Sequence, residues 1–186
     1  MSIAHVVAYS SGPVERSATQ LLKSSGSPRA HARGPLRLRL SPDIGRGALD
    51  GAWWPYSRDL TVEALDLVDH FPGTSDRICR VVYSTPDWEP PGRGRVKTGN
   101  GFVNFGSFPR EDTHLVLLKG VTSPRLVQLL VVPPEWGDRT ASHAMRIAAT
   151  PANLKSGPTI LSESVDLLLA GVLSHWDGDG GANDQT

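Results

Sequence analysis

The sequence predicts a single α+β domain, in which a mostly antiparallel sheet of five or six strands carries two or three helices on one face. Two observations predict this class. Six segments have the alternating or continuous apolar pattern of a strand, and most are joined by short turns, which favours antiparallel neighbours. Three other segments repeat apolar residues every three or four positions, as amphipathic helices do.

Six strands are predicted between residues 36 and 132. Segment 36–40 alternates leucine with arginine and is expected to be half buried, and segment 78–84 is the second strand. Segments 94–97 and 102–105 flank Gly99-Asn100-Gly101, which predicts a tight hairpin because Asn-Gly readily adopts positive φ angles. Segments 114–119 and 126–132 complete the set, whereas 47–56 is interpreted as a turn-rich connection.

Three helices are predicted. The first runs over 60–71 with Asp59 or Ser57 as its cap, and the second over 138–149 with Asp138 as its cap. A linker over 150–159 precedes a last helix at about 162–176. That helix has one broad apolar stripe, formed by Leu161, Val165, Leu168, Leu169, Val172, Leu173 and Trp176. We expect the stripe to dock on its own sheet, with a homodimer contact or a partner's groove as the alternatives.

The chain divides into four predicted regions. Residues 1–34 form a disordered, mildly basic arm, and 35–150 form the α+β domain. Residues 151–176 are the linker and C-terminal amphipathic helix, and 177–186 are a disordered acidic tail. Without a signal peptide or an apolar run of about 20 residues, we expect a soluble, cytoplasmic protein with no membrane partner.

The charges do not favour a nucleic-acid partner. Lys and Arg number 19, as do Asp and Glu, so the formal net charge is zero. A basic stripe on one sheet face is conceivable from Arg37, Arg39, Arg93, Arg95 and Lys97. Because only two strand aromatics accompany it, we interpret it as a solvated face.

The motifs of common catalytic and cofactor sites are missing from the sequence. Cys79 is the only cysteine, which excludes a disulfide framework and a thiolate metal cluster. The histidines lack zinc-binding spacing, and neither a phosphate-binding glycine loop nor a Gly-x-Ser-x-Gly elbow occurs. We therefore predict no metal and no cofactor.

Loop 47–60 is the best candidate ligand site. Two adjacent tryptophans, Trp53 and Trp54, could form an aromatic wall for a ligand. Asp50, Arg58 and Asp59 could then offer charge-assisted hydrogen bonds to that ligand. The structural alternative is that Trp53 fills the core while Arg58 pairs with an aspartate to tie the loop down, and this alternative is the commoner arrangement.

His114 is the remaining candidate, at the start of a predicted strand. As a general base it needs an acidic residue to orient its ring, and Asp112 could serve only if the backbone turns back. A lone strand histidine is more often a hydrogen-bonded structural residue.

One segment resembles a known family. Residues 47–60 read GALDGAWWPYSRDL, with LRLRL at 36–40 before them and LLVVPP at 129–134 after them. Together with Trp88 and His114, these segments resemble an uncharacterised actinobacterial family, domain of unknown function 5994, over about residues 36–149. The resemblance implies no activity, cofactor or partner. Tyr56 departs from the basic residue expected there, which puts a charged role at that position in doubt.

These observations favour a non-catalytic ligand-binding or regulatory domain that uses loop 47–60, with a small molecule or a protein as its unknown partner. One alternative is an enzyme of unrecognised type with Asp50, Arg58 and His114 at a cleft. Another is an adaptor or dimerisation protein acting through the C-terminal helix.

Overall fold

The computed structural model describes residues 34–72, 76–89, 94–108 and 113–178, with side chains up to residue 170 in the last range. The described residues form seven strands: β1 (Leu38–Leu40), β2 (Gly51–Trp53), β3 (Ile78–Ser84), β4 (Arg95–Thr98), β5 (Gly101–Phe108), β6 (Leu115–Gly120) and β7 (Leu126–Val131). The helices are α1 (Leu60–Asp69), α2 (Asp138–Ala148) and α3 (Gly157–Gly178), and a short 3-10 helix spans Thr85–Asp87.

The strands form one mixed sheet in the order β1-β2-β7-β6-β3-β5-β4. The pairs β2–β7 and β3–β5 are parallel and the other four pairs are antiparallel. The prediction of a mostly antiparallel sheet of five or six strands is therefore wrong. The extra strand, β2, lies in the segment interpreted as a connection, and the β4–β5 hairpin places β5 rather than β4 beside β3.

Helices cover both faces of the sheet, so the prediction of helices on one face is also wrong. In β7, Leu129 and Val131 pack in the cluster that contains α1. The alternate residue Leu130 packs with α2 and the first turn of α3. A strand buried on both faces has a continuous apolar run instead of an alternating one, as residues 129–132 do.

The helix ends test the capping predictions. The Asp59 Oδ1 atom accepts a hydrogen bond from the Val62 amide at 3.2 Å, which confirms Asp59 as the cap of α1. Gly137 precedes α2, so Asp138 is its first residue and not its cap. Helix α3 begins inside the predicted linker and extends two residues into the predicted tail. The predictions for residues 1–33 and 179–186 concern residues outside the described ones.

Helix α3 docks on its own domain through its first turns. Ile160, Leu161 and Ser164 are buried against α2, and the Ser164 hydroxyl lies 3.0 Å from the His143 Nδ1 atom. Beyond Ser164 the described side chains of the stripe are partly open, with Leu168 40% and Leu169 55% exposed. The homodimer contact stays a prediction. None of the helices in the described ranges combines the length and apolarity needed to cross a membrane.

The basic residues do not form one stripe. Strands β1 and β4 are the opposite edges of the sheet, which separates Arg37 and Arg39 from Arg95 and Lys97. Arg93 lies outside the described residues.

Candidate functional site

The two tryptophans of loop 47–60 are buried on opposite faces of the sheet. Trp53 is 1% exposed and stacks on Trp88, with ring centroids 5.3 Å apart. Trp54 is 7% exposed and packs in the cluster that contains α2. Successive residues of an extended chain point to opposite faces of a sheet, so the pair cannot form one aromatic wall.

Arg37 lies over one face of the Trp54 ring. Its guanidinium lies 3.6 Å from the Trp54 ring centroid and 3.8 Å from that of Tyr56. It also donates hydrogen bonds to the carbonyl oxygens of Trp54, at 2.9 Å, and of Pro55. Burial lowers the pKa of Arg37 from its usual value. The side chain thus holds the loop to β1.

Two carboxylates of the loop hold backbone groups. Asp50 is 2% exposed and accepts hydrogen bonds from the amides of Gln128, at 2.8 Å, and Gly45. It therefore ties the loop to β7. Asp59 caps α1, as described above. Neither residue lines a described cleft.

Arg58 and His114 do meet, at the end of the sheet where β3 and β7 finish and β6 begins. They line a narrow crevice of about 10 Å³, which is enough for one water molecule, together with Pro55, Asp87, Trp88 and Pro133. Two of the six predicted site residues therefore share one location.

The backbone of His114 has an unusual conformation. Its φ angle is +60°, in the left-handed region that non-glycine residues seldom adopt. The Asp87 carboxylate accepts a hydrogen bond from the His114 amide at 2.7 Å, and the His114 carbonyl accepts one from Val131 at 2.8 Å. These two bonds hold a conformation that is strained by itself, and such conformations cluster at functional sites.

Asp87 also faces the imidazole of His114. The His114 Nδ1 atom lies 3.5 Å from the Asp87 Oδ1 atom. Burial raises the pKa of Asp87 above its usual value, while the positive charge on a protonated His114 acts against that rise. The carboxylate attracts a proton on Nδ1, which leaves Nε2 to accept a proton or a hydrogen bond from a ligand.

Arg58 pairs with Glu135, which directly follows the crevice residue Pro134 along the chain. Its guanidinium donates to the Glu135 carboxylate at 2.6 Å, and both side chains are about half exposed. Partial burial acts to raise the pKa of Glu135, but the hydrogen bonds that it accepts, including one from Arg58, keep that pKa below its usual value. An exposed pair of this kind exchanges partners at little cost in free energy.

One buried donor in the crevice has no partner. Trp88 lines the crevice and is 2% exposed, and its indole Nε1 has no hydrogen-bond acceptor among the described residues. A buried N–H that lacks an acceptor costs about 1–3 kcal/mol. A water molecule or a ligand oxygen that reached this N–H would relieve that cost.

A wider cleft of about 200 Å³ opens on the other side of His114. Its walls include Ala48 and Leu49 from loop 47–60, Gln128 of β7, and Gly157 at the start of α3. A Cβ atom on Gly157 would lie 3.8 Å from the His114 carbonyl oxygen, so the N-terminus of α3 is close to His114. The N-terminus of a helix carries partial positive charge.

Asp87, Trp88 and Glu135 are the site residues that sequence reasoning missed. The expected orienting acid, Asp112, lies outside the described residues. Asp87 follows β3, which pairs with β6 although two strands separate them along the chain. The available signal was an Asp-Trp pair that follows the predicted strand 78–84 after two intervening residues. Within the described ranges, no three His, Cys, Asp or Glu residues are grouped to hold a metal ion.

Comparison with known families assigns the chain to a family. It belongs to the Family of unknown function (DUF5994), whose model matches residues 37–148, more than half of its length. The matched range contains Arg58, Asp87, His114 and Glu135, whereas the start of α3 lies outside it. No curated protein and no solved structure matches the chain.

Proposed function

We propose that this member of the DUF5994 family is a non-catalytic ligand-binding domain that holds a small anionic molecule beside His114, with its body in the wider cleft. The observation that carries the proposal is His114 itself. It is held at positive φ by Asp87 and Val131, its ring faces Asp87, and it lines both clefts. Non-glycine residues with such backbone strain cluster at functional sites.

The surrounding groups favour an anion. The N-terminus of α3 borders the wide cleft, and the narrow one is lined by Arg58 and by Trp88, whose indole N–H has no acceptor among the described residues. All three attract a ligand oxygen that carries negative charge. Arg58 can leave Glu135 for the ligand because the pair that they form is exposed.

Loop 47–60 keeps its place in the proposal, but with a changed role. Its ends supply cleft walls, through Ala48 and Leu49 on one side and Pro55 and Arg58 on the other. Trp53 and Trp54 anchor the loop between these ends and do not contact the ligand. We also propose that the protein is cytoplasmic, as the sequence favours.

An enzyme is the second candidate, favoured by the facing Asp87 and His114. In that case His114 acts as a general base on a bound water or ligand hydroxyl, and Arg58 holds the substrate's negative charge. Asp50 takes no part because both of its oxygens bind backbone amides. Turnover of any bound anion, abolished in His114→Asn, would favour this candidate over the non-catalytic one.

The test is binding of a panel of small anions to the full chain by thermal shift and calorimetry, at constant ionic strength. The panel contains inorganic phosphate, sugar phosphates and di- and tricarboxylates. The variants are Arg58→Gln and His114→Asn. Asn tolerates the left-handed conformation better than most residues, so His114→Asn removes the imidazole with little added strain. Arg139→Gln is the matched control, since Arg139 is exposed on α2 and lines neither cleft.

We expect at least one anion to raise the melting temperature by mass action. Loss of a charge-assisted hydrogen bond should weaken its binding about tenfold or more in Arg58→Gln. His114→Asn should weaken it as well, and Arg139→Gln should not. Binding that is equal in all variants, or a panel without any binder, would reject the proposed site.

A further inference from the structure

A second, apolar slot lies at the opposite end of the sheet from His114. Strand β6 begins beside His114 and ends at Gly120, where the slot of about 170 Å³ opens between the starts of β3 and β7. Its apolar walls are Ile44, Phe71, Ile78, Leu118 and Val127. A slot of this volume with almost wholly apolar walls suits the body of a small organic molecule.

The rim of the slot exposes further apolar surface. Ile44, one of the walls, is 38% exposed, and Val121, which directly follows the last residue of β6, is 53% exposed. Both are among the exposed large hydrophobic side chains of the described residues. Clustered exposed apolar residues mark binding surfaces more often than scattered ones do.

The positively charged side chain of Arg125 lies at the mouth of the slot. Arg125 lines the slot, and its guanidinium donates a long hydrogen bond, 3.4 Å, to the Ile44 carbonyl oxygen. No carboxylate of the described ranges forms an ion pair with it. Its position depends on Gly45, where φ is +81° and a Cβ atom would lie 2.5 Å from the guanidinium.

Asp76, the acidic residue that lines the slot, is hydrogen-bonded to backbone amides. The Asp76 carboxylate accepts hydrogen bonds from the amides of Thr122 and Ser123, at 2.9 and 2.7 Å, and so holds the turn between β6 and β7. These backbone hydrogen bonds lower the pKa of Asp76 below its usual value. Asp76 therefore stabilises the turn, and Arg125 is left to attract an anionic group from solution.

We propose that this slot binds a short aliphatic or monocyclic aromatic carboxylate, with its apolar body between Phe71 and Val127 and its carboxylate on Arg125. The slot volume of about 170 Å³ is well above the roughly 10–15 Å³ that one water molecule needs, so the slot has room for a small organic molecule. The planar guanidinium can bind the carboxylate through two parallel hydrogen bonds. This site is independent of the anion site beside His114.

Calorimetric titration of the full chain with hexanoate and with hexanamide, at constant ionic strength, tests this proposal. The two probes share their apolar chain and differ in charge. The variant is Arg125→Gln, whose exposed position leaves the fold undisturbed, and Arg139→Gln is again the control. We expect saturable binding of hexanoate that weakens about tenfold in Arg125→Gln. Binding of hexanamide should be weaker in the parent and the same in both variants.

Two results would overturn the proposal. One is the absence of saturable hexanoate binding to the parent chain. The other is hexanoate binding that Arg125→Gln leaves unchanged. The variant Arg58→Gln separates the two sites, because it should not affect hexanoate here. If Arg58→Gln alone removes hexanoate binding, the ligand occupies the cleft beside His114, and the apolar slot is rejected while the proposed function gains support.

Discussion

Replacement of Gly51 by alanine tests the close approach of β1 and β2. Gly51 is the first residue of β2 and has a φ angle of +150°. A Cβ atom there would lie 2.2 Å from the carbonyl oxygen of Arg39 and 2.9 Å from the Cα atom of Leu40. Both are backbone atoms of β1, so they cannot move aside as a flexible side chain could.

The expected loss of stability follows from two effects. A non-glycine residue in a glycine-only backbone region costs about 1–3 kcal/mol, and overpacking a rigid site costs about 1–3 kcal/mol more. Alanine also restricts the unfolded chain, which raises the free energy of unfolding by about 0.4–1 kcal/mol. The net loss is about 3 kcal/mol, a large part of the roughly 5–15 kcal/mol of a typical domain.

Urea unfolding of the full chain, followed by tryptophan fluorescence, measures this loss. The matched control is Gly94→Ala, since Gly94 has a φ angle of +74° and a Cβ atom there would have no atom of the described residues within 4 Å. It should lose about 1 kcal/mol from backbone strain alone. If both variants lose the same free energy of unfolding, the close contact between β1 and β2 is refuted.

Three further predictions concern single side chains. Asp59→Ala should lower the free energy of unfolding by about 1 kcal/mol through loss of the α1 cap, and Asp59→Asn, which keeps an acceptor, should lose much less in the same urea assay. Because burial raises the pKa of Asp87, its contribution to stability is fully present below the unfolded pKa, about 4, and is lost as the pH rises through the folded pKa. The test compares the free energy of unfolding of His114→Asn with that of the double variant His114→Asn/Asp87→Asn. The first value minus the second should fall as the pH is raised from about 4 to 7, and a difference that does not depend on pH would contradict this reasoning. Arg37→Met should open Trp54 to solvent, so acrylamide should quench the fluorescence more strongly than in the parent, and unchanged quenching would show that Arg37 does not cover the ring.

Local patterns were enough to locate most elements of this fold. Asp59 was predicted as a cap because its carboxylate precedes an apolar repeat, and the capping bond involves residues only three positions apart. The β4–β5 hairpin was predicted for a similar reason, since Gly99 and Asn100 form the turn that joins the two strands. The resemblance to the family was also carried by short segments, and the family match confirms it.

The sequence alone determined those elements because each depends on neighbours within a few residues of the chain. Only the tertiary structure decided which strands pair, and with that the site. Strand β2 is three residues long and exists because β1 and β7 provide hydrogen bonds on both of its sides. Asp87 reaches His114 because β3 pairs with β6 across the intervening β4–β5 hairpin. Pairing between distant segments depends on burial of both sheet faces, and no local window of sequence contains that information.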